Sequence, residues 1–169
     1  MFGKVKTLHE LFGIELSYAY DCEKKLVEKG LPSMIQSANL NELRSALQEH
    51  LTETQNQVAR LERVFSSIDV QPDTKANEIF DEMTAAAKDS MSNIDRSPLR
   101  DVALIVNGNI VEHYEIALYG SLVAFARTFG LQDVASLLEE TLSEEKNADA
   151  KLMQIGERVM NAQARRQSA

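Results

Sequence analysis

Residues 111–120 read "VEHYEIALYG" and lie inside a long stretch with no helix breaker. Glu112 and Glu115 are three residues apart, so on a helix they share a face and repel each other. At about 100° per residue, Ile105, Gly108, Tyr119, Leu122 and Ala126 fall on that same side, flanked by Leu104, Val111 and Leu118. Asn109, Tyr114, Ser121 and Arg127 fall opposite. Both acids therefore belong to the apolar face. Burying them there is costly unless they are paired or bind a cation.

The other helices repeat the pattern. Thr7 and Glu10 form a capping box that opens a first helix, expected to stop near Gly30 and Pro32. Its stripe of Val5, Leu8, Phe12, Leu16, Ala19, Tyr20, Leu26 and Val27 has Glu23 at its centre. A short helical piece follows at 33–38. Asn39 and Glu42 then read as a second cap, for a helix running to about Ile68. That helix turns Leu40, Leu43, Leu47, Leu51, Thr54, Val58, Leu61 and Phe65 inward. Glu53 is placed toward its rim, with His50 and Gln57 between rim and centre.

A loop containing Pro72 leads to a weaker amphipathic segment over roughly 75–92. Ser97 and Pro98, as N-cap and first helical residue, open the helix that carries the quoted stretch, and Gly130 closes it. The last helix runs to about Gln163, with Val134, Leu138, Leu142, Ala148, Leu152, Gly156 and Val159 inward. Glu145 sits amid that stripe with Asp149 beside it. Glu139, Glu140 and Glu144 lie off it as solvated charges. The expected fold is all-α, an antiparallel four-helix bundle with one additional shorter helix. It forms one domain over 1–165, with a frayed tail at 166–169.

Composition narrows the function. The 169 residues include 7 Gly, 3 Pro and no Trp, and long stretches are rich in helix formers. A net charge of −8 without a basic stripe argues against nucleic acid. The single Cys22 excludes an intrachain disulfide and fits a reducing compartment. There is neither a signal-peptide pattern nor a run of about 18 apolar residues. A cytoplasmic protein without membrane contact is expected.

Four helices thus each offer an acid on or near the inner face, and inner Lys and Arg are missing apart from Arg60 on the rim. So many carboxylates cannot all ionise in one dry core without cations, because each raises the pKa of the next. Two divalent ions solve this, since carboxylates are hard oxygen ligands. The candidate ligands are Glu23, Glu53, Glu112, Glu115, Glu145, Asp149 and His50. The Glu-x-x-His elements of di-iron bundles are missing: Asn56 follows Glu53 and Ala148 follows Glu145 at that spacing. His50 precedes Glu53 in reversed order, and Asp149 could stand in for an imidazole. Tyr20 and Tyr119 share faces with the acids, as redox neighbours or as core fillers bonded to a glutamate.

"YAYDCEKKL" (18–26), "EHLTET" (49–54), "RDVALI" (100–105), "VEHYEIALYG" and "LLEETLSEEKNADAKL" (137–152) resemble the YciF-like proteins of the ferritin-like superfamily. The E-x-Y-E element is also similar to a rubrerythrin helix whose two glutamates bind iron, which implies that role for Glu112 and Glu115. The chain departs from the family at Tyr18, where an acid is common, and over "TKANEIFDEM" (74–83), which lacks the expected Cys and Gly. The resemblance implies a five-helix ferritin-like fold, a homodimer and a bacterial stress-associated role. Leu11, Tyr18 and Leu51 add apolar surface for a partner copy. Two functions follow. One is a di-metal protein, iron first with manganese or zinc as alternatives, acting on O₂ or peroxide as an oxidase or peroxidase. The other is a non-catalytic stress or structural protein, with a storage, weak or vestigial metal site.

Overall fold

A computed structural model describes residues 4–72, 77–95 and 97–167. Six α-helices follow one another: α1 Leu8–Lys25, α2 Leu31–Ser37, α3 Asn41–Ser67, α4 Glu78–Ser92, α5 Pro98–Thr128 and α6 Gln132–Gln167. No strand occurs among the described residues. The long helices α1, α3, α6 and α5 pack in that cyclic order, each against the next, with α1 and α6 on a diagonal. Cross-contacts fix the directions. Glu42 meets Arg158 and Arg60 meets Thr141 between α3 and α6, while Asn109 meets Asp149 and Arg127 meets Glu139 between α5 and α6. The Phe12 and Phe125 rings pack with centroids 5.8 Å apart while Tyr119 reaches Glu23, so α1 also runs antiparallel to α5. This is the expected ferritin-like four-helix bundle. None of the described helices is long and apolar enough to cross a membrane.

Local chemistry sets most of the helix ends. The Thr7 hydroxyl accepts from the Glu10 amide and the Glu10 carboxylate accepts from the Thr7 amide, both at 3.1 Å, completing the capping box. Ser97 caps α5 and Asn77 caps α4. Gly130, at φ 72°, ends α5 in a Schellman turn: the Leu131 amide donates to Ala126 O and the Gly130 amide to Arg127 O. Helix α6 continues through Gln167, beyond the expected end at Gln163. Ser168 and Ala169 of the expected tail lie outside the described residues.

The chain departs from expectation at two helix junctions. The first helix does not stop at Gly30 and Pro32. The chain stays right-handed helical through a single π-turn, Leu26–Gly30, directly into α2. Proline has no N–H and its ring crowds the carbonyl four residues back. One wider turn absorbs that conflict without ending the rod. Second, the N-cap of α3 is Leu40 rather than Asn39, and it makes no side-chain capping bond. The backbone there is held from α5 instead, where buried Asp101 accepts from the Asn39 amide at 2.7 Å and the Leu40 amide at 3.2 Å.

The weaker segment is α4, which starts at Glu78 and docks outside α1 and α5. Asn77 is 1 % exposed; its amide donates to Asp21 and its side chain donates to Tyr18 O and, at 2.7 Å, to the Tyr114 hydroxyl. That contact covers Tyr114, which the helix periodicity placed on the polar side. Positions 73–76 of this connection lie outside the described residues.

The core has two apolar halves. Phe12, Leu16, Tyr20, Leu61, Phe65, Leu122 and Leu138 fill one end. Leu26, Leu43, Leu47, Phe80, Leu104, Ile105 and Leu152 fill the other. In every long helix the inner acid or histidine falls between them. Val5 and Leu8, assigned to the α1 stripe, and Leu40, assigned to the α3 stripe, are exposed instead. Tyr18 and Leu51, read as spare surface for a partner copy, pack against their own chain's core. On α5 and α6 the outward large apolar side chains among the described residues are Leu99, Val106, Ile110, Met153 and Met160, and Leu40, Val70 and Ile79 are also exposed elsewhere.

Candidate metal centre

The polar layer between the two apolar halves is built from one side chain of α1 (Glu23), one of α3 (His50), two of α5 (Glu112, Glu115) and one of α6 (Glu145). All five are buried, and Glu145 is completely so. They fall into two groups. Ligand atoms of His50, Glu112 and Glu145 lie within 4.8 Å of one another, as do those of Glu23, Glu115 and Glu145. Glu145 belongs to both. Four of the acids and the one imidazole singled out by helix periodicity therefore converge at one depth.

The hydrogen-bond pattern leaves oxygens over. Tyr119 donates to Glu23 Oε1 at 2.5 Å, and the Cys22 thiol lies 3.5 Å from Glu115 Oε1. His50 Nε2 is 3.3 Å from Glu112 Oε1 and 3.9 Å from Glu145 Oε2. As carboxylates, Glu23 Oε2, Glu112 Oε2, Glu115 Oε2 and both oxygens of Glu145 are buried and accept no hydrogen bond, and Glu112 and Glu145 come close enough to share a proton. A buried acceptor left unpaired costs about 1–3 kcal/mol, and more when charged. Five on one layer are hard to reconcile with a merely structural core. Hard, inward-facing carboxylate oxygens plus one imidazole are groups that could hold a divalent cation.

Electrostatics agree with the crowding. Burial pushes the Glu23 carboxyl up to about 7, against the pull of the Tyr119 hydrogen bond. Burial and then the carboxylates of Glu23, Glu145 and Glu112 hold Glu115 well above the ordinary range. Glu145 rises likewise, through burial and then Glu23 and Glu112. For His50, burial opposes the charge, but Glu112 and Glu53 outweigh it and raise its pKa well above the usual value. Without a cation, burial and crowding favour the protonated forms of Glu23, Glu115 and Glu145.

Two of the sequence candidates lie outside both groups. Glu53 stays at the rim, its side chain 36 % exposed, and meets His50 Nδ1 at 3.4 Å. A carboxylate behind an imidazole fixes the tautomer that turns Nε2 toward a metal. Asp149 is turned away; it accepts from Asn109 at 2.6 Å and sits 3.1 Å from His113 Nδ1. It does not replace an imidazole in this arrangement. Tyr20 faces Glu62 on α3 rather than the acids.

Sequence reading passed over three other contacts. Cys22, next to Glu23, touches Glu115. Gln57 is fully buried and donates to Glu144. Arg60 forks onto Glu140 and Glu144 and reaches Thr141. Glu140 and Glu144 are thus more than solvated charges, because they hold Arg60 on α6. The rim cation is committed there and does not neutralise the core acids. The acid spacing on α6, one turn from Glu140 to Glu144, was the available signal for that clamp.

Comparison with known proteins fits this frame. The family described as "Domain of unknown function (DUF892)" matches residues 7–165. Protein YciF of Escherichia coli K12 is 32 % identical over 164 residues, covering 95 % of this chain and 96 % of that protein. The crystal structure of the E. coli stress protein YciF superposes with a TM-score of 0.88, over 93 % of this chain and 99 % of that one. YcfI from Rhodopseudomonas palustris is 35 % identical with a TM-score of 0.85, covering 90 % and 97 %. A Xanthomonas campestris protein at 24 % identity and a TM-score of 0.73, covering 96 % and 100 %, shares the fold. The chain belongs to the DUF892 family and is a YciF-like, ferritin-like helical protein.

Proposed function

We propose that this chain holds two divalent metal ions, iron in the first place, in the polar layer of its bundle. We further propose that it acts on O₂ or peroxide in a stress response. The observation that carries this reading is the set of five buried carboxylate oxygens without partners, aimed into one layer. Glu23, Glu115 and Glu145 would hold one ion, and His50, Glu112 and Glu145 the other. Bound there, such ions supply Lewis acidity and, with iron, one-electron redox chemistry. Tyr119 fixes Glu23 through one oxygen and leaves the other free. Glu53 orients His50. The Leu and Phe layers on either side exclude bulk water. The homology to a stress protein supports the physiological setting, and the outward apolar residues of α5 and α6 support a homodimer. A cytoplasmic location is part of the same reading.

The second reading is a non-catalytic stress or structural protein with a weak metal site. Its support is the ligand set. Only one imidazole enters the two groups, and Asp149 is engaged elsewhere. The R. palustris relative is described as a candidate structural protein. Metal analysis of freshly purified protein, with oxygen consumption followed on addition of Fe(II), separates the two. Two equivalents of iron with oxygen uptake supports the first. Bound metal without oxygen uptake supports the second. Protein that binds no metal under either condition contradicts both metal sites.

A further inference from the structure

The bundle has a cleft of about 220 Å³ between α3 and α6, lined by Ala46, Leu47, Glu49, His50, Glu53 and Lys151 among others. That volume takes several waters. Its floor is His50, whose two ring nitrogens face opposite ways: Nδ1 toward half-exposed Glu53 in the cleft, Nε2 toward buried Glu112 and Glu145. Behind His50 stand the unpartnered oxygens of Glu112 and Glu145. At the mouth, Lys151 of α6 pairs with Glu49 of α3, both largely exposed. The cleft therefore joins solvent to the inner carboxylates through one imidazole, with an acid outside it and two acids inside.

We propose that this α3–α6 cleft is the entry route for a divalent cation to the core, with Glu53 as the carboxylate met past the Glu49–Lys151 pair and His50 as the relay to Glu112 and Glu145. The inference rests on the metal-binding reading above. A cation leaving water needs oxygen or nitrogen ligands at each step. Glu53, His50 and Glu112 supply them in sequence, whereas Leu- and Phe-filled layers close both ends of the bundle. Lys151 opposes entry, because its ammonium stands at the mouth and offsets the attraction of Glu49 and Glu53.

The test is the rate of Zn(II) transfer from a chromophoric chelator, followed by stopped flow, beside the equilibrium dissociation constant. Lys151→Gln should speed uptake several-fold at low ionic strength and lose that advantage in high salt. Ala148 of α6 also lines the cleft, and Ala148→Leu, which narrows it without replacing a ligand, should slow uptake and release by the same factor and leave affinity unchanged. Arg127→Gln, a similar charge change at an exposed pair on α5, should alter neither. Should Ala148→Leu fail to fold, the comparison of Lys151→Gln with Arg127→Gln decides alone. Normal zinc binding with unchanged rates in the cleft variants overturns the entry route and leaves the metal site standing. No zinc uptake by the wild type overturns the metal-binding reading, and the entry route with it.

Discussion

Tyr119 of α5 donates its phenol proton to Glu23 of α1 at 2.5 Å, in a layer where Glu23 Oε2, Glu112 Oε2, Glu115 Oε2 and both oxygens of Glu145 lack a donor. The bond ties two neighbouring helices at the depth of the candidate metal centre. Tyr119→Phe removes the donor and frees Glu23 Oε1 while keeping the ring. We expect the metal-free protein to lose about 1–3 kcal/mol, the usual cost of leaving a buried polar group unpaired. Zinc affinity should fall about 10–100-fold, as when an outer hydrogen bond to a ligand is removed. Urea melts with chelator and zinc titrations read the two effects. Unchanged affinity would place Tyr119 outside the site.

The charge state of the layer sets a pH dependence for the metal-free protein. Glu23 has its folded pKa raised from 4.5 to about 7, so between those values the folded chain binds more protons than the unfolded one. Stability from this group is fully present below about pH 4.5 and is lost as pH rises through about 7. The raised values of Glu115, Glu145 and His50 act in the same direction. With chelator present, the melting midpoint should drop between pH 5 and pH 8. With saturating metal the slope should flatten or reverse, because bound ligands must be deprotonated. A metal-free midpoint that climbs over that range would contradict the protonated layer.

Asp101 makes a tie that no local motif announces. Its carboxylate joins the first turn of α5 to the backbone ahead of α3 through the amides of Asn39 and Leu40. Asp101→Ala should cost about 1–3 kcal/mol, for two part-buried amides losing a charged acceptor. Asp101→Asn, which keeps one acceptor oxygen, should recover part of it. Denaturant unfolding of both variants provides the check.

Much of the site was legible because a helix repeats. Periodicity alone turned Glu23, Glu112, Glu115 and Glu145 inward, and the structure brings those four together with His50. Capping at Thr7, Ser97 and Gly130 was legible for the same reason, since each signal lies within a few residues of its effect. What escaped depends on partners far along the chain. The backbone before α3 is held by an acid about 60 residues away rather than by its own cap. Tyr114 is covered by a helix whose docking no periodicity encodes. Asp149 looked inward by angle, but a donor on α5, Asn109, captures it. Pro32 read as a stop because the π-turn that accommodates it has no short sequence signature.

The most direct measurement returns to Glu112 and Glu115. Glu112→Gln/Glu115→Gln is nearly isosteric, so packing should survive. It removes carboxylates that are unfavourable in a cation-free core. With chelator, the double variant should melt at or above the wild-type temperature. Added Fe(II), Mn(II) or Zn(II) should stabilise the wild type by about 2.7 kcal/mol at a hundredfold excess over the dissociation constant, and leave the variant unmoved. A wild-type midpoint that none of these metals shifts would contradict the metal centre.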